Sequence, residues 1–138
     1  MKTPERPDWP ALTAAAWKAS EAAYAPYSNF RVGAALWMPN GEIFAGCNVE
    51  NRSFGMTLCA ERTAAVSAVV AGHRRFLAAV VVADSKEPPR PCGLCLGTLI
   101  EFGDEDLAVR LLNRAGQTES FRLGELMPYP FSADELND

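Results

Sequence analysis

Residues 76–83 read Phe-Leu-Ala-Ala-Val-Val-Val-Ala, a run with no polar position at all. A strand with one wet face alternates apolar and polar residues, because successive side chains point to opposite sides. This run has no face to offer water, so it is predicted to be a strand covered above and below. The flanking segments supply the covers. Leu58 to Ala71 carries Ala64, Ala65, Val66, Ala68, Val69 and Val70 with only a narrow polar strip, and is predicted to be a buried helix. Gly72 with His73-Arg74-Arg75 stops it. Asp84 to Arg90 reads as a loop, Leu94 to Phe102 as a shorter helix, Leu107 to Leu112 as a strand, and Arg122 to Met127 as a last turn of helix. Ahead of the central run, Pro10 to Ala23 places Leu12, Ala16, Ala19 and Ala23 at helical spacing, and Ala25-Pro26 ends that helix. Phe30 to Trp37 and Glu42 to Cys47 read as hairpin strands about the turn Pro39-Asn40-Gly41. A hairpin followed by strand–helix alternation predicts an α/β sandwich with a mixed sheet.

With 138 residues and no repeat, linker or low-complexity stretch, the chain reads as a single domain over 1–138. Its formal charge of −4 gives no general attraction to polynucleotides or anionic membranes. The densest basic cluster, Lys86, Arg90, Arg74 and Arg75, lacks the interleaved aromatics of a single-strand groove. No uncharged run approaches the roughly 20 residues of a membrane span. The first apolar stretch is interrupted by Lys18 and Glu21, unlike a signal-peptide core. A soluble, cytoplasmic protein is expected. Four cysteines are too few for a disulfide scaffold, and one histidine means that any zinc site here is rich in thiolate.

Three of the four cysteines have metal-like spacing. Cys59-Ala60-Glu61 opens the Leu58–Ala71 helix, and Pro91-Cys92-Gly93-Leu94-Cys95 opens the next one. Zinc takes soft sulfur ligands tetrahedrally, and three ligands leave a fourth position for water. Helix N-termini favour anions and lower thiol pKa values. Three thiolates and a divalent ion sum to −1, a charge that Arg62, next to Glu61, is expected to offset by donating to the sulfurs. Glu61 is costly to bury on so apolar a helix without a task, and proton transfer beside the metal is one. Other readings are a Cys92–Cys95 redox pair, or a closed structural site with Cys47 as fourth ligand. Cys47 reads more simply as a packing residue, His73 as a helix-end surface residue, and Trp9, Trp17 and Trp37 as core or interface.

Cys59-Ala60-Glu61-Arg62 followed by Pro91-Cys92-x-x-Cys95 resembles the zinc nucleoside deaminases, specifically the small cytidine deaminases. The likeness runs from about Ala23 to Leu136. It takes in Ala25-Pro26-Tyr27-Ser28-Asn29-Phe30, Val32-Gly33-Ala34-Ala35-Leu36, Gly46-Cys47-Asn48-Val49-Glu50-Asn51 and Gly124-Glu125-Leu126-Met127-Pro128. The resemblance implies a three-layer α/β/α sandwich and one zinc per chain on Cys59, Cys92 and Cys95. It implies attack of zinc-activated water at C4 of the pyrimidine, Glu61 protonating N3, and loss of ammonia. Cytidine, and 2′-deoxycytidine with it, would become uridine products in pyrimidine salvage. Phe30 would stack on or edge the base, Ala60 would touch it through its backbone, and Asn48 and Glu50 would hold the ribose 3′-hydroxyl. An amide and a carboxylate two apart on an extended segment point the same way, which suits that task. Phe131 matches an aromatic inserted into a neighbouring subunit's site, which implies a homotetramer.

Two positions depart from the family pattern. Leu96-Gly97 stand where Arg-Gln is usual, and Phe54 where Tyr is common. The first removes a cation and an amide close to the thiolates; the second removes a hydroxyl that reaches the sugar 5′-oxygen from the next subunit. Both bear on substrate preference, and keep open another aminopyrimidine nucleoside or a nucleoside antibiotic as substrate. A zinc-stabilised binding protein without turnover is the alternative from a different class.

Overall fold

The computed structural model describes residues 6–137. Five strands form one sheet in the order β2-β1-β3-β4-β5: β1 Val32–Trp37, β2 Ile43–Cys47, β3 Ala78–Ala83, β4 Ala108–Asn113 and β5 Thr118–Arg122. Only β3 and β4 run parallel; the other neighbours are antiparallel. The mixed sheet expected from the pattern is present, and β3, from the all-apolar run, lies in its middle with every residue buried.

Both faces of the sheet are packed. On one, Leu12 and Ala16 of α1 (Trp9–Ser20) meet Ala35, Trp37, Ala78, Val80 and Val82. On the other, Ala60, Ala64, Ala65 and Ala68 of α2 (Ala60–Val70) and Leu99 of α3 (Gly93–Phe102) meet Ala34, Leu36, Ala79, Val81, Val109 and Leu111. Neighbouring residues of β1 and β3 divide between the two cores, as the alternation of side chains along a strand requires. This is a three-layer α/β/α sandwich. α1 starts at Asp8, whose carboxylate accepts the Ala11 N–H at 3.1 Å. It stops at Ser20, short of the expected Ala23, because the next amides turn back onto carbonyls three residues earlier.

Two expectations need correction. α2 is not buried all round: Val66 is 56% exposed and Val70 88%. Its small alanines face the sheet, Val69 packs against the same core, and Val66 and Val70 face outward. β5 lies outside the strands expected from the pattern, since Thr118-Glu119-Ser120-Phe121-Arg122 has one apolar residue and no periodic signal. It is an edge strand, paired to β4 through a turn with Gly116 at φ 89°. Beyond it lies the short helix α4 (Leu123–Leu126), within the span expected for a last helical turn. No helix among the described residues is long and apolar enough to cross a membrane.

Candidate active site

Two helix starts converge on one spot. Cys59 is the N-cap of α2 and Cys92 the N-cap of α3, with Cys95 one turn further on and fully buried. The three sulfurs lie within 4.8 Å of one another, with Cys59–Cys92 at 3.8 Å and Cys92–Cys95 at 3.4 Å. Sulfurs bound at about 2.3 Å around one tetrahedral zinc stand about 3.8 Å apart, so this donor set fits that ion. Cys47 is outside the group. It sits on β2, where its carbonyl accepts the Thr63 hydroxyl at 2.7 Å. A closed four-sulfur site is therefore not what the fold assembles, and the trio leaves a coordination position open.

The charges around the sulfurs are arranged to hold a cation. A hydrogen bond from Cys95 first, then contacts from Arg62 and Cys92, pull the Cys59 thiol down to about 5. The same bond, with burial and the nearby Glu61 carboxylate, pushes Cys95 up. Cys92 is within hydrogen-bonding distance of both Cys59 and Cys95, and metal binding releases the protons of such thiols. Arg62 lies where its sequence position placed it, donating through Nη2 to the Thr57 carbonyl at 2.8 Å and to Cys59 Sγ at 3.8 Å.

Glu61 is 4% exposed in the first turn of α2. Burial raises its carboxyl above the ordinary carboxylate range and the Cys59 charge adds to this, against pulls from its own backbone amide, Cys95 and Arg62. It lines a cleft of roughly 200 Å³ with Cys59, Ala60, Cys92, Phe30 and Asn48. Seven of the ten residues singled out from sequence thus converge here: the three cysteines, Glu61, Ala60, Phe30 and Asn48, although buried Cys95 sits behind the lining. Arg62 stands directly behind Cys59.

The other two lie elsewhere. Glu50 is in an adjoining cleft with Tyr27, Ser28 and Phe54, and Thr57 lines both. Asn48 and Glu50 bond the same loop, but at different points. Asn48 Oδ1 accepts from the Val32 amide at 2.9 Å and its Nδ2 donates to the Phe30 carbonyl at 2.7 Å. Glu50 accepts from the amides of Tyr27 and Ser28 at 2.9 and 3.1 Å and from the Ser28 hydroxyl, which holds its pKa down. Each keeps spare capacity, one N–H on Asn48 and a lone pair on Glu50 Oε2. Phe131 is 70% exposed and lines neither cleft of its own chain.

The structure adds Thr57, Leu58, Val81, Pro89 and Arg90 to the wall. Thr57 and Leu58 directly precede Cys59, which was a usable signal; Val81 was recognised only as core. Val49 bridges Tyr24 on one side and Leu58 on the other, and so joins the three loops that form the mouth. At Leu96 and Gly97, where the family's Arg-Gln is replaced, Leu96 packs on the core and a Cβ on Gly97 would meet nothing within 4 Å.

A family profile described as the cytidine and deoxycytidylate deaminase zinc-binding region matches residues 9–111. The chain belongs to that deaminase family. A cytidine deaminase from Halalkalibacterium halodurans is 46% identical over 121 residues, covering 88% of this chain and 92% of that protein. One from Mycobacterium tuberculosis is 40% identical, covering 94% and 93%. The crystal structure of a cytidine deaminase from Burkholderia pseudomallei superposes with a TM-score of 0.85 at 50% identity, covering 88% of this chain and 97% of the other. Membership accounts for the sandwich and for a zinc-binding region over the stretch that carries the three cysteines.

Proposed function

We propose that this chain is a zinc-dependent hydrolytic deaminase that converts cytidine, and 2′-deoxycytidine, to the uracil nucleoside and ammonia. One observation carries the reading: a buried carboxyl, Glu61, in an open apolar cleft beside three converging thiols. Zinc held by Cys59, Cys92 and Cys95 supplies a Lewis acid that makes water nucleophilic at neutral pH. The remaining work falls to the chain. Glu61, its carboxyl raised by burial, takes a proton from the attacking water and delivers it to N3 of the ring. Phe30 and Val32 flank the base, and the Ala60 amide is one of the unpaired donors at the start of α2. Asn48 holds the Phe30 and Val32 backbone while its spare N–H meets the sugar, and Glu50 receives the 3′-hydroxyl from the adjoining cleft. The four free cysteines suit a reducing compartment, and pyrimidine salvage in the cytoplasm is the setting this chemistry fits.

Purified protein is expected to carry one zinc per chain and to turn cytidine into uridine, followed as loss of cytidine absorbance. Zinc-loaded protein that leaves cytidine and deoxycytidine untouched would sink the substrate assignment. Turnover of another aminopyrimidine nucleoside in the same panel would then name the substrate, with Phe54 and Leu96-Gly97 as the positions to examine.

The mouth of the cleft favours association into a homotetramer with shared sites. Tyr24, Tyr27, Phe54, Met56 and Leu58 surround it as exposed apolar side chains, Phe54 at 74%. Val66 and Val70 of α2 are further exposed apolar side chains. Exposed apolar surface of this kind is a mark of protein contact. Phe131, exposed and outside the clefts of its own chain, would enter a neighbour's. Light scattering on the purified protein should return four times 15.0 kDa; a monomer at micromolar concentration would count against shared sites.

A further inference from the structure

The three cysteines are not held equally. Cys95 lies within α3 and has no exposed surface, and Cys59, an N-cap like Cys92, follows Leu58, whose N–H and carbonyl both pair with Val49. Cys92 is exposed and comes at the end of a segment, residues 84–92, that has neither helix nor strand. Its N-cap backbone (φ −73°, ψ 169°) is as extended and uncapped as that of Cys59 (φ −76°, ψ 158°), so the difference between them lies in the segment that precedes each. The segment before Cys92 brings Pro89 and Arg90 to the cleft wall. Its placement therefore sets both a metal donor and part of the pocket.

Two side-chain links tie this segment to the β4–β5 hairpin. Asn113, at the end of β4, donates from Nδ2 to the Lys86 carbonyl at 3.1 Å. Asn113 is itself buried and clamped by Gln117, whose amide it accepts at 2.9 Å and whose Oε1 receives its Nδ2 at 2.6 Å. Arg90, two residues before Cys92, donates to Glu119 of β5 through Nη2 at 2.9 Å and Nε at 3.4 Å. A two-pronged arginine–carboxylate contact fixes orientation as well as distance. Pro91 lies between this anchor and the sulfur, and its ring removes one backbone rotation from the connection.

We propose that the Arg90–Glu119 pair is a clamp through which the β4–β5 hairpin positions Cys92, making both positioning residues for the metal site. This rests on the reading of Cys59, Cys92 and Cys95 as the zinc ligands. Glu119 is absent from the deaminase cleft and lines a neighbouring groove with Glu87, Gln117 and Thr118, the two sharing Arg90. Its effect on the metal must then pass through Arg90. The pair is partly exposed, with side-chain exposures of 66% and 30%, which keeps its strength in the modest range of surface ion pairs and makes it sensitive to salt.

The test is the rate at which zinc-loaded protein gives up its metal to a chromogenic chelator, measured with a melting curve for each variant. Glu119→Gln and Arg90→Ala are expected to release zinc about two- to fivefold faster than wild type at low salt. The double variant should be no faster than either single. Exchanging the charges, Arg90→Glu with Glu119→Arg, should restore slow release. High salt should speed release in wild type and leave Glu119→Gln unmoved. Arg75→Ala breaks an exposed ion pair to Asp104 at 3.1 Å that is remote from the segment, and should release zinc at the wild-type rate. Release that is equal in wild type and Glu119→Gln, or additive effects of the two single changes, would overturn the clamp alone. A wild-type protein that binds no zinc would overturn the ligand assignment and the clamp with it.

Discussion

Glu61→Gln is expected to leave the zinc content at one per chain and to cut kcat for cytidine by roughly 10²–10⁴-fold. The two halves of this result have separate causes. Glutamine has the shape of glutamate, so the first turn of α2 and the sulfur positions at Cys59, Cys92 and Cys95 keep their geometry. Glu61 lies at the cleft wall, outside the cysteine trio that fits the metal. The amide removes a buried charge that burial already penalises, so folding stability should hold or rise slightly. What it cannot do is accept a proton from water and hand it on to a ring nitrogen. Metal analysis and steady-state assays on one preparation separate the outcomes. A variant that retains zinc and deaminates at the wild-type rate would remove Glu61 from the mechanism. A variant that loses both would mean that the carboxyl supports the metal site rather than the proton path.

How far the sequence could be read depended on where each signal lay. The run at 76–83 was legible because a strand buried on both faces leaves no alternative residue pattern. The cysteine trio was legible because two short motifs each placed a thiol at a helix start. α2 was over-read for an instructive reason. Apolar residues announce that a surface will be covered, but not by what; Ala64 and Ala68 meet the sheet, while Val66 and Val70 lie on the chain's own exterior. β5 gave no signal, since an edge strand with one inward residue, Phe121, has almost no hydrophobic pattern to show. The Arg90–Glu119 contact spans 29 positions between a loop and that unseen strand. Asn48 and Glu50 stood out in the sequence as a pair, although they line different clefts. Their hydrogen bonds to the Phe30, Val32, Tyr27 and Ser28 backbone, however, come from tertiary folding of the loop beside them and have no trace in local spacing.

Gly46→Ala should be the most damaging small substitution at the sheet–site junction, destabilising the protein by about 3 kcal/mol, the upper end for an overpacked core. For a domain of this size that lowers Tm by about 10 °C. Gly46 lies on β2 where α2 crosses it. A Cβ there would fall inside the contact distance of Thr63 Oγ1 and the Ala64 amide nitrogen, and 2.8 Å from the Ala60 carbonyl oxygen. Two of those three atoms are helix backbone and cannot step aside singly, so relief requires the whole start of α2 to lift from the sheet. That start carries Cys59 and Glu61. The Thr63 hydroxyl bond to the Cys47 carbonyl would be stretched by the same movement. Lost stability and accelerated zinc release should therefore appear together in this variant. Gly97→Ala supplies the contrast, because its methyl meets open space and replaces glycine inside α3, with an expected gain of up to about 1 kcal/mol. Melting curves and zinc-release rates on the two variants decide the matter. A Gly46→Ala protein as stable as wild type, with zinc retained, would mean that β2 and α2 are packed more loosely than their close approach implies.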